Sequence, residues 1–321
     1  MRDKLYLPLV SVVFTSYNHR EYLQQALDSL VDQTYKNIEI IVVDDNSTDG
    51  SREILLSYKD IPNIQLHLLD KNTGSYVKAS NYGAGFAKGD YLMFAQCDDF
   101  AVPEQIEMLM NAFFNNTTVG VVFSKSNMVD ENGNVYSDDY VGREKSFRER
   151  CINNTIIQGN QMREFLSFAC VIPNLSAAII KKELFVSHGG LSTQYLVAAD
   201  WAFWLTLSEN TDFYYITVPL NNFRQHSTTI RSKIKLATQV VEVYSIFYEH
   251  IRKYRLVGEN KRRMQIGAAS VWFWYFLENK LPWILSFPLL LRKTFRFEKF
   301  NLYYLMAGFF KHLNEHSVKV K

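Results

Sequence analysis

The chain has 321 residues and a net charge of only +2, and 47% of its residues are hydrophobic. This length suits one large α/β domain or two smaller ones, and the composition is ample for a packed core. The three cysteines are odd in number and lack close ligand spacing, which argues against a disulfide framework or a zinc site and indicates a reducing compartment. We expect no nucleic-acid partner.

Charge is distributed unevenly along the chain. From Ile251 to the end there are 14 Lys and Arg against 4 Asp and Glu, whereas the first 250 residues are net acidic. The apolar run at 281–291 is about half of the roughly 20 residues that a spanning helix needs, and two prolines interrupt it. The basic, aromatic tail therefore suggests contact with an anionic membrane surface. The alternative is a solvated basic face over an ordinary core.

In chain order, apolar strands alternate with helices through the first half. The amino terminus has a faint likeness to a signal peptide, but it lacks a small-residue cleavage site, so we interpret its apolar run as the first strand. Repeated strand–helix units predict a mostly parallel sheet flanked by helices. Strands are predicted at 10–15, 38–43, 64–69, 91–95 and 119–123, and helices at 20–32, 49–58 and 75–88.

The second half is less regular. Residues 130–155 are predicted to form a polar excursion with a turn at 131–133, and Pro219 is predicted to end a strand at 213–218. Beyond residue 232 the pattern becomes helical. Further segments are predicted as a strand at 176–180 and helices at 200–209, 233–255, 262–278 and 302–313.

Two adjacent carboxylates, Asp98 and Asp99, follow the apolar run at 91–95. An apolar strand that ends in paired acids places them at the carboxyl edge of a sheet, where open α/β sheets bind ligands. The two carboxylates repel each other unless a positive group lies beside them, and a hard divalent cation is a natural candidate. The alternative is an Asp that caps a helix in a polar loop.

The next set of acids follows the strand at 38–43, in the sequence Asp-Asp-Asn-Ser-Thr-Asp-Gly. Its spacing fails the calcium-loop pattern. Asp45 could instead accept hydrogen bonds from a ribose or a base, whereas Asp49 or Ser47 could cap a helix. No glycine-rich phosphate loop follows the first strand, where Thr-Ser-Tyr-Asn-His stands. A nucleotide here would be held by an aromatic face and backbone groups, with metal neutralising its phosphates.

These motifs together resemble glycosyltransferase family 2, an inverting family with the GT-A fold, and in particular its bacterial surface-polysaccharide type. The likeness begins in VSVVFTSYNHREYLQQALDSLVDQTYKNIEIIVVDDNSTDGS and reaches Asp98-Asp99, at the position of the family's DXD metal motif. Gly189-Gly190-Leu191 and Ala199-Asp200-Trp201 resemble a later GGF…ED…W segment. Phe223-Arg224-Gln225-His226 resembles a YRxH element. The resemblance covers roughly residues 9–231.

The resemblance implies transfer of a sugar from a nucleotide donor, UDP-linked in our expectation, to a hydroxyl of a glycan or lipid-linked saccharide in polysaccharide synthesis. Asp200 would be the catalytic base and Asp99 would bind Mg²⁺ or Mn²⁺. The expected donor contacts are Tyr17 on the base, Asp45 on base or ribose, Asp98 on the ribose or a water beside the metal, Lys78 and His226 at the phosphates, and Thr15.

The implied architecture is a catalytic domain at 1–232, with a nucleotide-sugar half at 1–125 and an acceptor half at 126–232, followed by a helical extension at 233–321. We expect a cytoplasmic enzyme, peripheral on the inner membrane face. A sugar nucleotidyltransferase is one alternative, although it usually needs a glycine-rich basic loop after the first strand. The other is a noncatalytic sugar-binding protein, against which the acids at several element ends argue.

Overall fold

The computed structural model describes residues 7–278 apart from 173, 228 and 230–233, together with 292, 297 and 302–316. The strands are β1 (Val10–Ser16), β2 (Ile38–Asp44), β3 (Ile64–Leu68), β4 (Tyr91–Gln96), β5 (Phe100–Ala101), β6 (Val119–Val129), β7 (Val135–Asp138), β8 (Thr155–Ile157), β9 (Ala178–Lys181) and β10 (Asp212–Arg224). The helices are α1 (Arg20–Val31), α2 (Ser51–Leu56), α3 (Tyr76–Ala84), α4 (Gln105–Asn115), α5 (Lys145–Arg150), α6 (Gly159–Leu166), α7 (Lys182–Ser187), α8 (Ala199–Leu207), α9 (Leu236–Lys253), α10 (Gly258–Glu278) and α11 (Leu302–His316).

These strands form one mixed sheet in the order β3-β2-β1-β4-β9-β6-β10-β5, with β7 added beside β6 and β8 beside β10. Strands β3, β2, β1 and β4 are parallel neighbours, as the strand–helix alternation predicts. Strand β9 runs antiparallel to both β4 and β6, and it joins the two halves of the sheet. The α/β fold with helices flanking the sheet and following it is confirmed.

Both faces of the parallel strands are buried, which explains their continuous apolar sequences. Val12 and Val42 face one core cluster together with Leu23 of α1. Val13 and Val43, one position along each strand, face the opposite cluster together with residues of α3. Helix α3 packs closely, since a Cβ on its Gly83 would lie only 2.6 Å from Cγ1 of Val13.

Strand β10 continues through Pro219, so the prediction that this proline ends the strand is wrong. The pairing of β10 with β6 shifts register between Ile216 and Pro219 and again between Pro219 and Asn221. A proline cannot donate a ladder hydrogen bond, and such irregularities are where strands tolerate one. The extra length matters because it carries Arg224 to the carboxyl edge of the parallel strands.

The polar excursion at 130–155 contains more regular structure than its sequence indicates. The turn falls where it is predicted, with Gly133 at a φ of 85°. Oδ1 of Asp130 accepts hydrogen bonds from the backbone N–H groups of Asn132 and Asn134, both at 2.9 Å. This turn joins β6 to β7, and helix α5 follows.

The carboxyl-terminal helices pack on one another. Trp272 of α10 is buried against Val240 of α9, so it does not face outward as the membrane interpretation of the tail aromatics expects. Phe273 contacts Phe309 of α11, with ring centroids 5.4 Å apart. The apolar run at 281–291 lies outside the described residues. Within the described part of the chain, no helix is both long and apolar enough to cross a membrane.

Candidate active site

The carboxyl ends of three parallel strands, β1, β2 and β4, lie side by side at one edge of the sheet. In the register of β1 with β2, Ser16 lies opposite Asp44, and in the register of β1 with β4, Thr15 lies opposite Gln96. The loops that follow these strands therefore start side by side, as expected for an α/β ligand site. Thr15 itself is almost buried in β1, at the base of this edge.

Hydrogen bonds fix the first loop against the second. Asn18 adopts a left-handed conformation with a φ of 51°. Its backbone N–H donates to Oγ of Ser47 at 3.0 Å, and its Oδ1 accepts from the backbone N–H of Thr48 at 2.8 Å. Tyr17 precedes this bend and is 46% exposed. Its ring therefore stands at the edge of the site on a loop whose backbone is held on both sides.

The acids after β2 have different partners. Asp44 is fully buried and its Oδ2 accepts from Nε of Arg52 at 2.8 Å, so its role is structural. The Oδ1 of Asp45 accepts from the backbone N–H of Thr73 at 2.7 Å, and its Oδ2 accepts from the Thr73 hydroxyl at 2.9 Å. Nζ of Lys78 donates to the carbonyl of Thr73 at 3.2 Å. The structure thus brings Asp45 and Lys78 together around Thr73.

A second group of side chains gathers beyond β4. Oδ2 of Asp98 lies 3.1 Å from Nε2 of His226, which follows β10. His19, which precedes α1, completes a set of three potential metal ligands whose donor atoms all lie within 4.8 Å of one another. One carboxylate oxygen and two imidazole nitrogens at this spacing suit a divalent ion.

Cys97 lies behind this group. Nδ1 of His19 is 3.7 Å from its Sγ. Burial, followed by the charge of Asp98, raises the pKa of the Cys97 thiol far above its usual range. The thiol is therefore neutral at physiological pH and acts as a small packing group beside His19.

The neighbouring acid, Asp99, points elsewhere. Its Oδ1 accepts from the backbone N–H of Arg224 at 3.1 Å, and the residue lines a small cavity of about 10 Å³ with Ser176 and Gln105. Burial, and then the charge of Asp98, raise the pKa of the Asp99 carboxyl well above its usual range. Asp98, not Asp99, lies in the group with the two histidines, and the assignment of Asp99 as the metal-binding acid stays a prediction.

Arg224 joins the loops of the site, a role that the sequence analysis does not assign to it. It is only 2% exposed. Its Nε donates to the carbonyl of Asp98 at 2.9 Å, its Nη1 to the carbonyl of Glu131 at 2.8 Å, and its Nη2 to Oε1 of Gln25 at 2.6 Å. Its guanidinium also lies over the ring of Tyr22, 4.5 Å from the centroid. The sequence feature that could have indicated this role is a basic residue two positions before His226, which is a candidate ligand.

Asp200 is the second residue of α8 and is half-buried. Its Oδ1 accepts from the backbone N–H of Trp201 at 2.8 Å. The residue at the helix N-cap is Ala198, so Asp200 is not the capping residue. The described contacts place Asp200 in neither of the two groups above, and its assignment as the base stays a prediction.

Comparison with known proteins gives a consistent result. Residues 11–169 match glycosyl transferase family 2. The chain is similar to glycosyltransferase GlyG of Streptococcus pneumoniae, with 34% identity over 182 residues that cover 55% of this chain and 58% of GlyG. The alignment therefore spans less than two thirds of that relative.

Two solved structures share the fold. S. aureus TarS 1–349 in complex with UDP-GlcNAc superposes with a TM-score of 0.64 and 18% identity, covering 96% of this chain and 89% of that chain. The mannosyltransferase PcManGT from Pyrobaculum calidifontis, in complex with GDP-Man and Mn²⁺, gives a TM-score of 0.53 and 18% identity, covering 96% and 88%. These likenesses extend over both the sheet and the helical carboxyl-terminal part.

Proposed function

We propose that this chain, which belongs to glycosyltransferase family 2, transfers a sugar from a nucleoside diphosphate donor to a hydroxyl group of a saccharide acceptor, with inversion. The observation that carries this proposal is the meeting of two groups at one sheet edge. One group, around Thr73, carries polar contacts for a nucleoside. The other, around Asp98 and His226, offers ligands for the metal that a diphosphate needs.

The nucleoside would lie over the loops that follow β1 and β2. The exposed ring of Tyr17 can stack on a base. The two oxygens of Asp45 each retain a free lone-pair direction for a base N–H or a ribose hydroxyl. Lys78 lies beside Thr73, and from there its ammonium group would reach a phosphate of the donor. Thr15 would form the floor of the nucleotide site. UDP-GlcNAc in TarS supports a UDP-sugar as the donor class.

Asp98 and His226 would hold a divalent ion, either Mg²⁺ or Mn²⁺. Their donor atoms are 3.1 Å apart and only 17% of the Asp98 side chain is exposed, so the pair is already assembled. When bound, such an ion neutralises negative charge on a leaving diphosphate. Mn²⁺ in the neighbouring mannosyltransferase supports this class of ion.

Asp200 would act as the base. Its carboxylate takes the proton of the acceptor hydroxyl as that oxygen forms a bond to the anomeric carbon. The bond between that carbon and the diphosphate oxygen breaks, and its electron pair leaves with the nucleoside diphosphate. Attack from the face opposite the leaving group inverts the configuration.

A lipid-linked saccharide on an anionic membrane is the acceptor that we favour, with the enzyme cytoplasmic and peripheral on the inner face. Helix α11 presents an exposed apolar stripe at i, i+3, i+7 and i+10, with exposures of 45–57%, formed by Tyr303, Met306, Phe310 and Leu313. In the sequence, basic residues stand on both sides of this helix. An apolar stripe with basic flanks suits an interfacial helix.

We retain the domain division as part of the proposal. Residues 1–232 would form the catalytic domain, in which the sugar-nucleotide contacts come from 1–125 and the acceptor contacts from 126–232. Residues 233–321 would serve docking. His226 and Arg224 lie in the second half and yet contact the loop at Asp98, so the donor site draws on both halves.

An assay of donor turnover tests the reaction class. The protein is incubated with Mn²⁺ and a panel of UDP- and GDP-sugars, and released nucleoside diphosphate is measured. Release of nucleoside diphosphate that depends on Asp200 supports transfer. Release of pyrophosphate from a nucleoside triphosphate and a sugar phosphate would instead indicate a nucleotidyltransferase, and silence with every donor would indicate a noncatalytic binding protein.

A further inference from the structure

We propose that His19 is a third metal ligand, and that His19, Asp98 and His226 form one site, with preference for a transition ion such as Mn²⁺ over Mg²⁺. The inference rests on the proposed function for its biological meaning. Its geometry belongs to the protein alone, because all three donor atoms come from this chain and lie within 4.8 Å of one another.

The spacing of the donor atoms fits one ion. An octahedral ion with ligands at about 2.1 Å separates adjacent ligand atoms by about 3 Å and opposite ones by about 4.2 Å. Asp98 Oδ2 and His226 Nε2 are 3.1 Å apart, which matches adjacent positions. The third donor, a nitrogen of His19, lies within 4.8 Å of both. A small movement of one imidazole would let the three donor atoms occupy three coordination positions of the ion. The remaining coordination positions would stay open.

Packing holds the two imidazole rings in place. The ring centroids of His19 and His226 are 5.2 Å apart at an interplanar angle of 81°. Tyr22 contacts both rings, at 6.3 Å and 5.1 Å between centroids. Arg224 in turn lies over Tyr22. This stack fixes the ligand directions, which lowers the cost of ordering them when an ion binds.

The contacts around His19 indicate which nitrogen coordinates. Nδ1 faces Sγ of Cys97 at 3.7 Å and is therefore already engaged by the buried thiol. We therefore assign Nε2 of His19 as the ligand atom. His226 coordinates through the Nε2 that faces Asp98.

The donor set selects the class of ion. Imidazole nitrogen suits first-row transition ions, whereas Mg²⁺ prefers carboxylate, carbonyl and water oxygen. Two imidazoles and one carboxylate therefore disfavour Mg²⁺ and Ca²⁺ relative to Mn²⁺ or Co²⁺. A site made of Asp98 and further acids alone would lack this preference. His19 is thus a residue that sets metal specificity.

The test measures metal binding to the full chain without nucleotide, by the electron paramagnetic resonance signal of free Mn²⁺ and by competition with Mg²⁺. We expect His19→Ala to weaken Mn²⁺ binding about 10- to 100-fold, the range that losses around a metal site produce. We expect His19→Asp to retain an ion but to shift the preference toward Mg²⁺, because it exchanges a nitrogen donor for oxygen. His188→Ala, at the carboxyl end of α7, is the matched control and should change neither quantity.

Three results would overturn the inference. They are absence of Mn²⁺ binding to the wild type without nucleotide, an unchanged Mn²⁺ affinity in a folded His19→Ala protein, and an unchanged Mn²⁺-to-Mg²⁺ ratio in His19→Asp. Circular dichroism establishes that each variant is folded, and an equal loss of both ions in His19→Asp would assign His19 a structural role. None of these outcomes touches the transferase proposal, which donor turnover tests separately.

Discussion

Replacing Arg224 with lysine tests whether this buried guanidinium holds the site together. The arginine donates through Nε, Nη1 and Nη2 to three different segments, which carry Asp98, Glu131 and Gln25. A lysine ammonium in the same place can serve only one of them, because it is a point donor on a flexible stem. Two acceptors would then lose a charged donor.

The expected cost follows from those two bonds. Hydrogen bonds to charged groups contribute about 1.5 to 3 kcal/mol each, so the lower value predicts a loss of about 3 kcal/mol in the free energy of unfolding. Urea denaturation followed by circular dichroism measures it. Arg262→Lys is the matched control, since that side chain is 49% exposed and pairs with Glu259 at 3.3 Å. We expect a change of no more than about 0.5 kcal/mol there.

The same variant should also weaken the metal site. Arg224 anchors the carbonyl of Asp98 and stands two residues before His226, so a shift of this segment separates the two ligands. Mn²⁺ affinity should therefore fall together with stability in Arg224→Lys. A loss of stability below about 1 kcal/mol, with Mn²⁺ affinity unchanged, would refute the assignment of Arg224 as the residue that joins these loops.

Three further predictions concern individual roles. Asp98→Asn should lower Mn²⁺ affinity by more than about tenfold in calorimetry, whereas Asp99→Asn should leave most of it, and the reverse order would restore Asp99 as the ligand. Asp200→Asn should reduce turnover by roughly 10² to 10⁴ without changing nucleotide affinity, and an equal loss of affinity would assign it to donor binding. The wild type should sediment with anionic vesicles at low salt but not at high salt, and the double variant Met306→Ser, Phe310→Ser should remain in the supernatant at both. A wild type that stays in the supernatant at low salt contradicts the membrane proposal.

The parallel strands could be predicted from sequence because burial on both faces demands continuous apolar runs. The runs at 10–15 and 38–43 lie within β1 and β2. The same argument places Asp45 and Asp98 at the sheet edge, since they follow the runs at 38–43 and 91–95 by two and three residues. Local pattern suffices here because each strand is specified by its own side chains.

Side-chain direction could not be predicted at the paired acids. Asp98 and Asp99 are adjacent but lie in the turn between β4 and β5, where the backbone N–H of Asp99 donates to the carbonyl of Gln96, so strand alternation does not set their directions. Which of them faces the histidines depends on contacts of Asp99 with Arg224 and Ser176, which are far away in sequence. The pattern of two acids at a strand end fixes the place of the site without fixing its ligand.

The pairing of strands that are distant in sequence could not be predicted either. Strand β9 is a short apolar segment, and nothing local indicates that it runs antiparallel between β4 and β6. The path of β10 through Pro219 likewise depends on register shifts against β6. The histidine pair of the site follows from that path, because His226 reaches Asp98 only if β10 continues.

The position of β9 also affects how the protein folds during synthesis. Strand β4 ends at Gln96, but the neighbour that covers its edge, β9, ends at Lys181. A ribosome adding 5–20 residues per second makes those roughly 85 residues in about 4 to 17 seconds. During that interval the nascent chain would expose an apolar strand edge, which is a template for pairing with other chains. We therefore expect fragments that stop near residue 125 to aggregate, and chaperone binding to the nascent chain to end once β9 has left the exit tunnel.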